Sequence, residues 1–275
     1  MFRYHQKSNF AYRQWLKEQG VTEERAESIK DPQQIPVINK DFFLNNFNAR
    51  EQALQATSCP LEKLVNVYET SNGSSAPYSQ KDIETFLDCW ENMLAYHGIK
   101  NKILINALPL GPWSGGRHND LVRTVLKISS PQFFSEEQHV NNLKKWNPEA
   151  LITFPALLSK LYQYMLEKGH DPQREFSNLE KVFIAGEMSS RGFRDKLGSF
   201  LGAEVIDAYA CSELAILAVE NKEKTGLIAY PDRFRIDIVD PHTNQPIAEG
   251  QGKILITDLK AEAKPIIRYD LGDLA

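Results

Sequence analysis

From residue 102 onward, short apolar runs alternate with amphipathic stretches, and this alternation constrains the fold more than any other feature of the 275-residue chain. The runs cover residues 103–108, 151–154 and 182–185. Such alternation is typical of βαβ units, so we predict an α/β fold with a mostly parallel sheet flanked by helices. Farther along, strand patterns at 234–240 and 252–257 flank a turn, which predicts a smaller antiparallel β portion.

Helical periodicity marks the segments before and between these strands. Apolar residues from Ile83 to His97 recur at three- and four-residue steps, and a second stripe from Leu158 to Met165 ends at Gly169. Glycine suits the left-handed position that ends a helix. Residues 8–20 also predict a helix, and a stretch broken by prolines follows it. Because the chain has no internal repeat and no long linker, we expect one compact unit.

Composition excludes several classes of partner. The formal charge is −4 with both signs scattered along the chain, so we expect no nucleic-acid partner and no membrane partner. The apolar runs are too short to span a bilayer. The three cysteines lack C-x-x-C spacing, which predicts neither a disulfide framework nor a zinc site and favours a cytoplasmic protein. The six histidines include no i,i+4 pair, which argues against a histidine metal site.

Four separated stretches carry the candidate chemistry. In the first, hydroxyls and a glycine offer donors to a phosphate, although a serine-rich loop is usually a solvated turn. Its candidate residues are Thr70, Ser71, Asn72, Gly73, Ser74 and Ser75. The second runs off a strand toward a helix. There Gly186 would let a flat ligand lie against the backbone beside Glu187, unless the stretch is only a strand-to-helix turn.

The third stretch, residues 205–213, is predicted to follow a strand, at the carboxyl end where ligands of α/β sheets collect. Taken singly, an aromatic residue there is equally a core residue, and an acid is equally a surface charge. The candidates are Asp207, Ala208, Tyr209, Ser212 and Glu213. The fourth stretch, residues 264–273, has two aspartates that flank a glycine turn, and a carboxylate there could hold vicinal hydroxyls.

Together, the order and content of the four stretches resemble the adenylate-forming (AMP-binding) superfamily, and residues 263–273 are similar to its phenylacetate-CoA ligase branch. Residues 9–21, 35–41 and 240–244 also look like that branch. The resemblance implies the large N-terminal domain of these enzymes, an adenylation core over residues 1–275 with residues 1–66 as a helical cap and arm. It also implies that the C-terminal lid domain is absent. Because closing lids complete such sites, we expect slow turnover from these residues alone.

Carried over by matching position, the resemblance implies that the loop from Thr70 to Ser75 cradles the phosphates of ATP, with Thr70, Ser71 and Glu213 catalytic. Glu213 would bind Mg²⁺, and Asp273 would bind the ribose hydroxyls. Gly186 and Glu187 would line the adenine wall, Tyr209 would stack nearby, and Asp207, Ala208 and Ser212 would complete the nucleotide site. The implied cofactors are ATP or AMP and Mg²⁺. The phosphate loop lacks the second glycine usual in the family, which leaves it less freedom to wrap phosphates.

We expect the acid substrate to bind between two loops whose aromatic and glycine residues would admit an apolar or aromatic acid. Trp113 is equally a core residue. The predicted pocket residues are Trp113, Ser114, Gly115, Gly116, His118, Phe154 and Pro155.

The activity that the resemblance implies is ATP-dependent conversion of an aromatic or other apolar carboxylic acid to an acyl-adenylate, without a side-chain nucleophile. The acceptor stays open among coenzyme A, carrier-protein phosphopantetheine and an amine. The alternative is a catalytically silent nucleotide- or acyl-binding module that regulates or scaffolds a partner. A homodimer and a lid supplied by a separate protein also stay open. A dinucleotide-dependent oxidoreductase is disfavoured, because no G-x-G-x-x-G follows a strand.

Overall fold

The structure, a computed structural model, describes residues 1–70 and 73–275, apart from the side chains at positions 45, 46, 49, 52 and 53. Its helices are α1 (Phe2–Ser8), α2 (Phe10–Glu18), α3 (Glu23–Ser28), α4 (Lys40–Asn46), α5 (Ala49–Leu54), α6 (Gln80–Tyr96), α7 (Ser114–Asp120), α8 (Glu136–Trp146), α9 (Pro155–Lys168), α10 (Pro172–Glu175) and α11 (Arg191–Leu201). Its strands are β1 (Ile38–Asn39), β2 (Leu64–Glu69), β3 (Ser75–Ser79), β4 (Ile103–Asn106), β5 (Leu126–Ser129), β6 (Ala150–Thr153), β7 (Lys181–Ala185), β8 (Glu204–Cys211), β9 (Ala215–Glu220), β10 (Leu227–Ala229), β11 (Phe234–Val239), β12 (Lys253–Asp258) and β13 (Tyr269–Leu274).

Contacts along the chain divide it into two units. Unit 1 is built from two separate segments, Met1–Thr85 and Pro231–Ala275, and unit 2 is the continuous segment Phe86–Tyr230. The expected cap and arm over residues 1–66 stay a prediction. Among the described helices, none combines the length and the apolar character needed to cross a membrane.

Unit 2 is organised around a sheet with the strand order β10-β9-β8-β7-β6-β4-β5. The strands from β4 to β8 pair in parallel, and β9 and β10 continue the sheet in antiparallel pairing. This confirms the predicted α/β fold with a mostly parallel sheet. Strands β4 and β6 are short and largely apolar, as expected where helices cover both faces of a parallel sheet.

Alternating residues of β7 show how the sheet of unit 2 is covered. Val182 and Ile184 pack into a cluster with residues of α8, α9 and α11. Between them, Phe183 points to the opposite face, because successive strand residues alternate in direction. There its ring meets Trp90 of α6, with the centroids 5.4 Å apart and the planes at 81°. Both faces of β7 are therefore buried, which explains its apolar sequence from Val182 to Ala185.

The helix that follows β6 begins and ends at residues that favour those positions. Pro155 occupies the first turn of α9, where its missing N–H has no intrahelical partner to lose. At the other end, Gly169 caps the helix in a left-handed conformation with φ 69°. The predicted helix stop at Gly169 is therefore confirmed.

Unit 1 contains a second sheet with the order β1-β13-β12-β11, together with the β2–β3 hairpin. Strands β11 and β12 pair in antiparallel fashion, with Phe234 opposite Asp258 and Val239 opposite Lys253. This confirms the predicted smaller antiparallel portion. The predicted N-terminal helix is present as α2, which begins after Asn9, whose side chain accepts a hydrogen bond from the Tyr12 amide.

Candidate active site

Three of the predicted stretches in unit 2 lie at or beyond the carboxyl ends of neighbouring parallel strands. Residues 154–155 follow β6, residues 186–190 follow β7, and residues 212–213 follow β8. Because β6 pairs with β7 and β7 pairs with β8 in parallel, these ends meet at one edge of the sheet. That edge is where open α/β sheets bind their ligands.

The stretch at residues 205–213 differs from the prediction, which placed it after a strand. Asp207, Ala208 and Tyr209 lie within β8, which continues to Cys211. The strand extends because its last residues pair in antiparallel fashion with β9, with Ala208 opposite Val219 and Cys211 opposite Ala215. Along it, Ala208 is buried while Asp207 and Tyr209 are half-buried. Ser212 and Glu213 therefore lie in the tight turn between β8 and β9.

The loop after β7 is connected to the loop after β6 through Glu187. Its Oε2 accepts a hydrogen bond of 2.9 Å from the Ala156 amide, in the first turn of α9. The residue that precedes α9, Phe154, supplies no capping side chain. Because the first amides of a helix lack intrahelical acceptors, Glu187 satisfies an otherwise orphaned donor. Glu187 therefore joins the predicted adenine wall to the predicted acid pocket.

Replacing Glu187 by alanine is expected to lower the free energy of unfolding by about 1 kcal/mol, since it removes the cap of α9. Glu187→Gln is the matched control, because its amide oxygen can still accept from Ala156, and we expect it to stay close to wild type. Urea denaturation followed by circular dichroism measures both. Equal losses in the two variants would contradict a capping role.

Asp207 lies in a charged environment that the sequence did not reveal. Burial raises the pKa of its carboxyl group, the guanidinium of Arg194 at 3.5 Å opposes that rise, and Glu220 reinforces it. Neither Arg194 nor Glu220 was among the predicted site residues. The local sequence carried no signal for them, because the acidic partners of Arg194 come from strands distant in the chain.

The predicted acid-pocket residues at 113–118 lie on and before α7. Trp113 is 44% exposed, so it is not a core residue. Ser114 and His118 are buried, and the His118 ring lies 4.7 Å from that of Phe86. Gly116 also lies on α7, and Asn106 donates to its carbonyl oxygen at 2.7 Å, which fixes the helix against the end of β4. Whether these residues contact an acid stays a prediction.

In unit 1, the predicted phosphate loop joins β2 to β3. Ser71 and Asn72 lie outside the described residues. Thr70 Oγ1 accepts from the Ser74 amide at 3.0 Å and lies 2.8 Å from Ser74 Oγ, and both residues are buried. Gly73 is exposed and has a φ of 84°. The hydroxyls of Thr70 and Ser74 therefore bond within the loop itself.

Lys264 is a buried residue of the fourth stretch, and no role was predicted for it. Its Nζ donates to the Ser75 carbonyl oxygen at 2.7 Å and lies 4.1 Å from the centre of the Phe43 ring. An ammonium buried this deeply needs both an acceptor and a polarisable face. Lys264 thus fixes the start of β3 to the segment that leads into β13.

The two aspartates of the fourth stretch both lie in β13. Asp270 is engaged locally, since its carboxylate lies 2.9 Å from Lys253 Nζ and accepts from the Gly272 amide. Asp273 is exposed. Gly272 between them has a φ of 88°, a conformation that favours glycine. Of the two carboxylates, Asp273 is the more accessible to a ligand.

Among residues 1–70 and 73–275, no group of three or more His, Cys, Asp or Glu side chains is placed to hold a metal ion. This does not conflict with the predicted magnesium role of Glu213. Mg²⁺ usually keeps several waters and binds one or two carboxylates together with substrate phosphates. A single partly buried carboxylate in the turn after β8 fits that donor set.

A depression of about 380 Å³ lies at the opposite, amino-terminal edge of the unit 2 sheet. It is lined by residues before and at the starts of β4, β5 and β6, including Lys102, Arg123 and Glu149. None of the predicted site residues lines it. Ligands of parallel sheets bind at the carboxyl edge, so we assign no site to this depression.

Comparison with known proteins gives a consistent result. No family model matches the chain. It is 26% identical over 277 residues to the phenylacetate-coenzyme A ligase of Thermus thermophilus, and 27% identical over 282 residues to that of Escherichia coli. Each alignment covers 96% of this chain, and the chain spans only 60% and 61% of the length of these relatives.

Among solved structures, an open conformation of 2-hydroxyisobutyryl-CoA ligase in complex with 2-HIB-AMP and CoA has a TM-score of 0.88. It is 20% identical in sequence, and the match covers 99% of this chain and 66% of that one. The chain therefore has the fold of the adenylate-forming acid–CoA ligases, and over nearly its whole length its sequence is similar to their phenylacetate-CoA ligase branch.

Proposed function

We propose that the chain is the nucleotide- and acid-binding core of an ATP-dependent acid–CoA ligase. One observation carries the proposal. Residues 154–155, 186–190 and 212–213 lie at the carboxyl edge of β6, β7 and β8, in a chain whose sequence is similar to a phenylacetate-CoA ligase over 96% of its length. The substrate class that the similarity favours is an aromatic or other apolar carboxylic acid, and the favoured acceptor is coenzyme A.

The residues of unit 2 suit the flat base of a nucleotide. Gly186 has a φ of 87°, and the space where a side chain would begin is open. A ring can therefore lie directly against this backbone. Tyr209 is half-buried on β8 and supplies an aromatic face for stacking. Ala208, between Asp207 and Tyr209, is buried and leaves the opposite side of the strand closed.

The resemblance assigns the remaining nucleotide contacts to the phosphate loop, Glu213 and Asp273. Backbone amides and hydroxyls are the groups that complement phosphate oxygens, and the residue types of this loop would supply them. Glu213 would hold Mg²⁺, which when bound neutralises charge on the phosphates. The carboxylate of Asp273 is exposed and would accept hydrogen bonds from two ribose hydroxyls.

The proposed reaction proceeds in two steps. A carboxylate oxygen of the acid attacks the α-phosphorus of ATP, and the bond to the leaving pyrophosphate breaks. The thiol sulfur of coenzyme A then attacks the acyl carbon, loses its proton, and AMP leaves. The chain's residues hold the reactants in line and stabilise the charge that builds on the phosphate, so no side-chain nucleophile is needed.

Calorimetric titration with ATP and Mg²⁺ tests the proposal. We expect the wild type to bind ATP and Asp273→Ala to bind it at least about a hundredfold more weakly, since two hydrogen bonds to a charged group are lost and each contributes about 1.5–3 kcal/mol. Asp232→Ala, an exposed aspartate of the same unit, is the matched control and should bind like the wild type. Pyrophosphate release with phenylacetate and aliphatic acids would then identify the substrate class.

A folded wild type that binds no ATP would overturn the proposal and support the silent module instead. ATP binding without pyrophosphate release for any acid would support a nucleotide-binding module. Acyl transfer to a carrier-protein phosphopantetheine or an amine, but not to coenzyme A, would keep acid activation and overturn the proposed acceptor.

A further inference from the structure

Arg194, near the start of α11, contacts three neighbouring parts of unit 2. Its Nη1 donates to the Ser189 carbonyl oxygen at 2.7 Å and to Ser189 Oγ at 2.9 Å. Its Nη2 donates to Glu220 Oε1 at 2.8 Å, and Nη1 lies 3.5 Å from Asp207 Oδ2. The loop after β7, strand β8 and strand β9 are therefore joined through one guanidinium.

This arrangement is held by chemistry that only an arginine supplies. The side chain is 10% exposed, so its charge needs compensation, which two carboxylates from the adjacent strands provide. A planar guanidinium presents several donors in a rigid fork, whereas a lysine would offer a compact ammonium. The fork lets Arg194 contact a carbonyl oxygen and a carboxylate at the same time.

The loop that Arg194 holds has few other attachments. Glu187 accepts from Ala156, and Ser190 caps α11 by accepting from the Phe193 amide. Between these two points, Met188 is fully exposed. The contacts to Ser189 therefore fix the middle of a loop that otherwise faces solvent.

We propose that Arg194 is a positioning residue that sets the base-binding loop at 186–190 against β8, without touching the nucleotide itself. This inference rests on the proposed nucleotide site. Gly186 lies on the loop and Tyr209 lies two residues beyond Asp207, so the contacts of Arg194 set the separation between the two surfaces that would enclose the base. Losing them would weaken binding of any ligand that carries the base.

The test variant must remove the contacts of Arg194 while the protein still folds. Removing Arg194 alone would leave the buried carboxylate of Glu220 and the half-buried carboxylate of Asp207 without their cation. The double variant Arg194→Met with Glu220→Gln removes one charge of each sign and preserves the net charge of the cluster. Its matched control is Arg191→Met with Glu220→Gln, which replaces instead an arginine of the same helix that is 63% exposed.

Two measurements on both double variants and the wild type test whether Arg194 holds the loop and whether the loop serves nucleotide binding. Hydrogen–deuterium exchange, without nucleotide, reports the opening of residues 186–190. Calorimetry with AMP reports binding of the base and ribose. We expect the Arg194 variant to exchange these amides about tenfold faster and to bind AMP about tenfold more weakly, while the Arg191 variant stays within about twofold of wild type.

Unchanged exchange at 186–190 in the folded Arg194 variant would overturn the inference that this arginine holds the loop. Faster exchange with unchanged AMP affinity would overturn the inference that the held loop serves nucleotide binding. Equal losses in both double variants would assign the effect to Glu220 and overturn a role for Arg194. A wild type that binds no AMP would overturn the proposed function, and the exchange result would then decide separately whether Arg194 holds the loop.

Discussion

Replacing Asp82 by alanine is expected to lower the free energy of unfolding by about 4 kcal/mol, because it leaves buried donors without an acceptor. The carboxylate accepts four hydrogen bonds, from the Ser79 amide and hydroxyl and from the amides of Glu262 and Ala263, at 2.7–3.0 Å. Burial raises the pKa of this carboxyl group, and the donors from Glu262, Ser79 and Ala263 oppose the rise. Asp82 thus joins the end of the β2–β3 hairpin to the segment before β13.

Urea denaturation followed by circular dichroism measures the loss. Asp88→Ala is the control on the same helix, since the Asp88 side chain is 66% exposed and pairs with Arg123 at the surface. We expect it to cost less than about 1 kcal/mol. Asp82→Asn should not rescue stability, because both carboxylate oxygens accept and an amide nitrogen would face a donor. A loss below about 1 kcal/mol for Asp82→Ala would contradict this account of the network.

The second large effect is expected at Gly116, where alanine should lower the free energy of unfolding by about 3 kcal/mol. A Cβ atom at this position would lie 2.6 Å from the Pro109 carbonyl carbon and 2.7 Å from the Leu108 carbonyl oxygen, and closer still to the Pro109 oxygen. These are backbone atoms, so they cannot turn aside as a flexible side chain would. Relief requires moving α7 away from the loop after β4.

The neighbouring glycine provides the control. A Cβ atom at Gly115 would meet only Leu108 Cδ1, at an ordinary contact distance of 3.5 Å. Gly115→Ala should therefore be neutral or stabilise by up to about 1 kcal/mol, since alanine favours a helix more than glycine does. Thermal and urea unfolding of both variants, measured side by side, test the difference. A Gly116→Ala protein as stable as Gly115→Ala would contradict the close packing of α7.

The parts of the fold that the sequence predicted are those specified by local patterns. The apolar runs of β6 and β7 identify buried strands, and Gly169 marks a helix end through its own conformational preference. The extent of β8 was not readable in this way. Residues 208–211 stay extended because β9 returns beside them, and the sequence of β8 alone does not specify its partner.

The candidate site shows the same difference. Residues that are contiguous in the chain were predicted, and residues joined only by distant contacts were not. The stretches around Gly186 and Glu213 were found because each is contiguous in the chain. Asp82 was missed as a structural centre because its acceptor role depends on amides 180 and 181 positions away. Arg194 was missed because its partners come from two other strands.

The phosphate loop shows a third kind of limit. A sequence gives the number of hydroxyls in a loop but not the direction in which they point. In the structure, Thr70 Oγ1 donates to the Ser74 carbonyl oxygen at 3.1 Å and accepts from the Ser74 amide. These local hydrogen bonds compete with any external acceptor.

Because unit 1 is discontinuous in the sequence, the order of synthesis determines when its strands can pair. Strand β1 pairs with β13, so Ile38 meets Tyr269, while the whole of unit 2 lies between them in the sequence. Contacts so distant in sequence form late and slowly. As the chain leaves the ribosome, every strand of unit 2 emerges before the partner of β1 has been made. Strand β1 therefore stays without its partner until β13 has been synthesised.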